Sequence, residues 1–287
     1  MLISIMGSRT MATHPPGSER KKDWVFNELL SRLATGRYGF GAKISAKDLS
    51  EEMGVSRFPV MAALNDLRHA GFIIVTAQVG CEVISPSAVQ IHDFFLLFGR
   101  MEGIMAELAA ERRLSEEVGR MRSINERIAT ISSSAGAGEE YRQLNRELHG
   151  LIHTAARSPL LHARQVTNWA MSDFLITQAG GFERRFREAT KEHADVIDRI
   201  ERKAASRARL AMETHIQNFA RAVREFLHAP SDQRGPEGAA RDGGAAARHR
   251  YRVFGSSPQT TRPNSSRLVD DVRNAWFESA WMSRWKR

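Results

Sequence analysis

A chain of 287 residues with 42% hydrophobic content is long enough for two globular domains. No segment approaches the roughly 20 consecutive apolar residues of a membrane span, so no membrane partner is expected. A single cysteine, Cys81, excludes an internal disulfide framework and a cysteine-based zinc module, and fits a reducing cytoplasm.

The net charge of +9 suggests a polyanionic partner, but its distribution weakens that inference. Residues 229–287 hold 11 Lys+Arg and 6 Asp+Glu, whereas the remaining 228 residues hold 31 and 27. More than half of the excess therefore lies in the tail. Residues 1–18 read as irregular: "HPPGS" discourages a helix, and the segment has neither the basic start nor the sustained apolar run of a secretory signal.

Residues 19–86 read as three helices and two short strands. Trp24, Phe26, Leu29, Leu30 and Leu33 give the first helix an apolar face, and Gly36 stops it. Ser45, with Asp48 three residues on, resembles a capping box opening "AKDLSEEM", which Gly54 ends. Ser56 caps "RFPVMAALNDLRHAG", where Pro59 sits in the first turn and its missing N–H costs little. Gly71 closes that helix, and "FIIVTAQVGCEVI" follows as two β-rich runs around a glycine turn.

Two short helices joined by "MGVS" and followed by a hairpin make the pattern of a winged helix-turn-helix. Such a turn lets the second helix protrude into the major groove of double-stranded DNA. Arg57, at its N-terminus, can grip guanine or phosphate, beside the exposed N–H groups of the helix start. A wing around Gln78, Val79 and Gly80 can lie against the backbone or minor groove.

The segment "DLSEEMGVSRFPVMAALNDLRHAGFI" resembles the DNA-binding domain of GntR-type bacterial transcription regulators. The shared residues are Leu49, Gly54, Val55, Ser56, Arg57, Pro59, Val60, Ala63, Leu64, Leu67 and Gly71. The resemblance implies DNA contacts from the region of Lys47, Ser56, Arg57, Pro59, Met61, Gln78 and Gly80. Lys47 and Met61 stand where the family usually carries arginine. Lysine lacks the two-pronged guanidinium fork, and methionine cannot hydrogen-bond a base. An altered operator preference is therefore expected.

Residues 87–228 are almost continuously helical in period, without a convincing strand. "GRMEGIMAELAAERR" resembles the opening of the helical effector domain of the FadR subgroup, the FCD domain. The implied fold is mainly α: a winged helix-turn-helix followed by an antiparallel all-α effector-binding bundle of six or seven helices. The resemblance further implies a divalent metal, Zn, Ni or Mn, held at Asn145, His149, His193 and His215. It also places Arg100 and Glu102 on the first helix as candidates for contact with a small carboxylate effector.

The histidine positions can be read independently. His193 precedes Ile197 and Ile200, and His215 shares a face with Met212 and Phe219, so both lie on apolar faces. His149 borders Leu148 and Ile152. A buried imidazole without a partner is costly, so convergence on a metal or a shared polar network is expected. His153 is a competing ligand four residues beyond His149. Asn145 supplies a neutral oxygen where the resembled family supplies a carboxylate, which keeps open a metal-free pocket for an anionic effector.

The resemblance implies a homodimer on a two-fold operator, a repressor released by a small organic or sugar acid, and the single cysteine fits a cytoplasmic location. The rivals are a metal-dependent enzyme on a helical bundle, for which no general base is evident, and a purely architectural DNA-binding protein. From Ala229 the pattern changes to "PSDQRGPEGAARDGGAAARHR" and ends with Trp276, Trp281 and Trp285 among arginines. Residues 229–287 read as a disordered basic tail in preference to an amphipathic docking helix.

Overall fold

A computed structural model describes residues 18–76, 80–131, 137–182 and 185–228. The expectations for residues 1–17 and for the tail fall outside the described residues. The order of elements is α1 (Ser18–Ala34), β1 (Lys43–Ile44), α2 (Ala46–Met53), α3 (Arg57–His69), β2 (Ile73–Thr76) and β3 (Gly80–Val83). Then follow α4 (Ala88–Arg112), α5 (Ser115–Ala129), α6 (Ala137–Ala156), α7 (Pro159–Gln178), α8 (Phe186–Glu201) and α9 (Ala205–His228).

The local signals act as their chemistry demands. The Ser45 side chain accepts from the backbone N–H of Asp48 at 3.2 Å, and Gly54 closes α2 in the left-handed conformation with φ of 63°. Val60, Ala63, Leu64 and Leu67 of α3 are buried against Val25, Leu29 and Leu33 of α1. The sheet has a strand that the sequence does not announce. Two-residue β1 pairs with β3, so the order is β1-β3-β2, antiparallel throughout, with Ile44 opposite Cys81. Two residues carry no periodicity, and only the exposed edge of the hairpin recruits them.

The remaining helices pack around α4. Gly99 and Gly103, four residues apart, bring α9 against it: a Cβ on Gly103 would lie 2.6 Å from Glu213 Cγ and 3.1 Å from the Arg209 carbonyl. The bundle grips the N-terminal domain through the end of α7. Gln178 donates to the Tyr38 carbonyl at 3.1 Å and accepts from Phe40 N–H at 3.3 Å, while Thr177 donates to the Ala34 carbonyl at 2.8 Å. Phe174 meets Phe40 and Phe72 edge-on, with ring centroids 5.5 and 6.0 Å apart. Among the described residues no helix is long and apolar enough to cross a membrane.

Candidate functional site

The N-terminus of α3 is an exposed surface. Ser56 occupies the N-cap position but makes no side-chain cap bond, and Arg57 follows it exposed to solvent. The uncapped N–H groups and the guanidinium together form an anion-receptive end. Phe58 is 76% exposed and Met61 50%, so two apolar side chains share this surface. Lys47 is also exposed and lies 3.9 Å from Glu51.

Pro59 requires a correction as a DNA-contacting residue. It is buried with Val60, because the third position of α3 turns toward the core while Arg57, Phe58 and Met61 turn outward. Its place is structural, fixing the first turn of the helix. Gly80 opens β3 with φ of 118°, a conformation that favours glycine. Gln78 lies outside the described residues.

In the helical domain, α6, α8 and α9 bring His149, His193 and His215 together. One ring nitrogen from each falls within 4.8 Å of the others, and all three rings are buried. His193 Nε2 lies 3.2 Å from His215 Nε2. Asn145, one turn before His149 on α6, lines the same cavity as His149 and His215. Phe98, Trp169, Asp173 and Phe219 complete much of the wall, around some 280 Å³ of space that includes its opening to solvent.

Two carboxylates behind the cluster fix its orientation. Glu102 Oε2 accepts from His149 Nδ1 at 3.0 Å, and Glu192 Oε2 accepts from His215 Nδ1 at 2.8 Å. Each carboxylate thereby holds the proton on Nδ1 and leaves the Nε2 lone pair facing the cluster. With His215 accepting at Nε2, His193 donates from its own Nε2, which strips its Nδ1 of a proton. The result is three buried acceptors without a hydrogen-bond partner: His149 Nε2, His193 Nδ1 and Asn145 Oδ1. Orphaned buried acceptors of this kind cost roughly 1–3 kcal/mol each.

The electrostatics favour neutral rings at His149 and His193. Burial pushes the His193 pKa well below its ordinary value, reinforced by His215 and His149. Burial likewise lowers His149, against the pull of Glu102. Burial would raise the Glu102 and Glu192 carboxyls. His153 and His149 overcome it at Glu102, and His215, Asn218 and Arg185 overcome it at Glu192, leaving both ionised. A neutral His149 held in place by the ionised Glu102 is in the state that a divalent cation requires.

The other sequence candidates occupy different places. Glu102 is fully buried but does not line the cavity. Besides His149, it accepts from His153 Nε2 at 2.9 Å, Gln165 Nε2 at 2.8 Å and Trp169 Nε1 at 3.0 Å. Three of these four donors converge on Oε1, and His149 alone reaches Oε2. Arg100 turns outward, with its side chain 59% exposed and paired to Glu213. His153 spends one nitrogen on Glu102 and places the other 3.0 Å from His162 Nδ1, outside the triad.

Sequence reasoning missed Glu192, Trp169 and Asp173. Glu192 stood in view as the neighbour of His193. Asp173, buried in the cavity wall and paired with Arg146, is flagged only by being an acid inside the apolar run of α7.

Comparison with known proteins gives two family matches. The profile "Bacterial regulatory proteins, gntR family" matches residues 21–83, and the FCD domain profile matches residues 94–218. An uncharacterized HTH-type transcriptional regulator of Mycobacterium tuberculosis, Rv0043c in strain H37Rv and MT0049 in CDC 1551, is 26% identical over 148 residues. That alignment covers 50% of this chain and 57% of the relative, so the chain spans little more than half the length of these curated relatives.

Among solved structures, E. coli McbR/YncC superposes with a TM-score of 0.62 at 18% identity, covering 72% of this chain and 99% of that one. A putative transcriptional regulator GntR from Rhodococcus sp. RHA1 gives 0.58 at 14% identity, covering 73% and 99%. At these identities the likeness concerns the fold.

Proposed function

Because the chain belongs to the GntR family of bacterial regulatory proteins, with an FCD domain behind its DNA-binding domain, we propose that it is a ligand-responsive transcription regulator. In this reading it represses from a two-fold operator as a homodimer and releases DNA when a small carboxylate enters the helical cavity. Arg57 and the N-terminus of α3 read the DNA, with Lys47 and Ser56 toward phosphate and Met61 against a base edge.

One observation carries the coupling. The helix whose Trp169, Ser172, Asp173 and Ile176 line the cavity also ends in Thr177 and Gln178, which hold the DNA-binding domain. A ligand that favours one position of α7 therefore favours one placement of α3, which is the differential binding that regulation requires.

His149, His193 and His215 fit a divalent ion, with Asn145 as a neutral fourth donor. The bare acceptors of His149, His193 and Asn145, with Glu102 behind His149 and Glu192 behind His215, match the donor set of Zn, Ni or Mn. When bound, such an ion supplies a positive centre for an effector carboxylate. The chain's own residues do the remaining work: Glu102 and Glu192 orient the rings, and Phe98, Trp169 and Phe219 shape the space beside them. A second reading, a metal-free pocket, is favoured by the neutral Asn145. Under it the three histidines contact the effector directly.

The test is a shift assay on the promoter-proximal DNA of the chain's own gene, with titrations of Zn²⁺ and simple carboxylic acids. Affinity should fall when metal and a matching acid are present together, and Gln178→Ala should weaken that response. DNA affinity indifferent to every combination would reduce the protein to an architectural binder.

A further inference from the structure

The outward end of α3 carries an apolar pair beside Arg57. Phe58 and Met61, both exposed, lie three residues apart, so their side chains are neighbours on one face of the helix. Arg57 lies one turn before Met61 and borders the same face. Phe58 stands nine residues before buried Leu67, about two and a half turns at 3.6 residues per turn, so it faces directly away from the core. Buried Pro59 fixes the backbone that carries it. Single exposed apolar side chains are ordinary. An aromatic ring held in water at a cationic, anion-receptive helix end calls for a partner with both characters.

We propose that Phe58 and Met61 read the C5-methyl groups of thymine in the major groove, adding an apolar readout to the polar one of Arg57. The groove supplies both characters at once. Phosphates line its rim, and thymine's C5-methyl is the one methyl that the four bases present on its floor. The other major-groove edges offer an amino donor, N7 or a carbonyl oxygen, none of which a phenyl ring or a thioether chain satisfies well. Covering those groups would cost their desolvation, whereas covering a methyl gains from it.

The rest of the outward face of α3 is engaged with itself. Arg68 donates to Asn65 Oδ1 at 2.9 Å, and Asn65 Nδ2 lies 3.4 Å from His69 Nδ1. The first residues of the helix are thus left to meet bases, and they are the part that a recognition helix sets against base edges. Met61, with its unbranched side chain, can follow a methyl whose position shifts with groove geometry.

This inference rests on the DNA-reading assignment of α3 and names what that helix prefers. The full chain selects its strongest site from random duplex DNA, and each thymine of that site is then replaced singly by deoxyuridine, which removes only the C5-methyl. At one or more positions wild-type affinity should fall roughly three- to fivefold, the worth of one buried methyl group. Phe58→Ala should bind the thymine site roughly three- to tenfold more weakly, with its melting temperature unchanged. The double variant Phe58→Ala with Met61→Ala should bind the thymine and deoxyuridine sites equally at every position. Failure to select any site, or a selected site that Arg57→Ala binds as well as the wild type, would overturn the DNA-reading assignment and this inference together. An Arg57-dependent site that lacks thymine, or is indifferent to every deoxyuridine, would overturn this inference alone, as would discrimination that survives in the double variant.

Discussion

The C-terminal half of α7 touches both domains, whose two candidate sites have opposite physical habits. The DNA-reading end of α3 keeps Arg57, Phe58 and Met61 in solvent, where water satisfies the charge until DNA replaces it. The histidine cavity does the reverse, burying unpartnered acceptors on His149, His193 and Asn145 and spending two carboxylates to orient His149 and His215. An exposed site costs the fold little, and its occupation depends on salt and on the partner. A buried site with orphaned acceptors destabilises the fold while empty, so its ligand contributes directly to stability. Substitutions and ligands should separate along this line.

The largest effect is expected from Arg57→Ala. Loss of a bidentate base contact and of charge at the helix start should reduce specific operator affinity by 100-fold or more. The melting temperature should stay within about 2 °C, since exposed substitutions change stability by less than roughly 0.5 kcal/mol. His215→Ala should do the converse, preserving operator affinity in chelator while abolishing metal uptake. If Arg57→Ala lowers stability or His215→Ala lowers metal-free DNA affinity, the two regions are not separable in this way.

Next in size is stabilisation by metal. Zn²⁺ at about 100 times its dissociation constant should add roughly 2.7 kcal/mol. That corresponds to about 5–10 °C in a domain of this size, and His193→Ala should erase it in differential scanning fluorimetry.

Glu192→Gln should then lower metal affinity by 10- to 100-fold without removing a ligand, because a neutral amide orients His215 less firmly. Asn145→Asp should raise affinity by roughly tenfold, the gain of a charged over a neutral acceptor. Equal affinities across these variants would mean that the carboxylates and Asn145 do not act on the cluster.

The smallest effect is the pH dependence of the metal-free protein. His149 and His193 have pKa values lowered by folding, so the unfolded chain binds more protons once pH drops below the ordinary histidine value of about 6.5. Their contribution is complete above that pH and is lost as pH falls toward their folded values. Urea midpoints measured from pH 7.5 to 5.5 should decline, and His193→Phe should decline less steeply.

The contrast also explains what the sequence discloses. The DNA-reading region is contiguous: cap, turn, Arg57 and core leucines follow one another within about twenty residues, so local chemistry reveals them. Pro59 is the exception, because a motif position shared with a DNA-binding family says nothing about which way that residue faces. The cavity draws on α4, α6, α7 and α9, and α8 adds His193 to the histidine cluster beside it. Helical period places His149, His193 and His215 on apolar faces, which is enough to expect them to meet.

Period cannot say that Glu102, on a helix of mixed exposed and buried positions, turns inward to bind four donors while Arg100, two residues before it, turns out. Nor can it pair Glu192 with His215, twenty-three residues away, or set Asp173 in the cavity wall. Two-residue β1 is invisible for a related reason, since it exists only through its partner strand.

The central claim is that the triad is a binding site, not a satisfied core. Competition titration of chelator-stripped protein with Zn²⁺ or Ni²⁺ against a chromophoric chelator tests it most directly. The wild-type chain should take up one ion per chain, and His215→Ala none. No stoichiometric uptake by the wild type, with or without a carboxylic acid present, would contradict the metal site and leave the histidines to contact the effector alone.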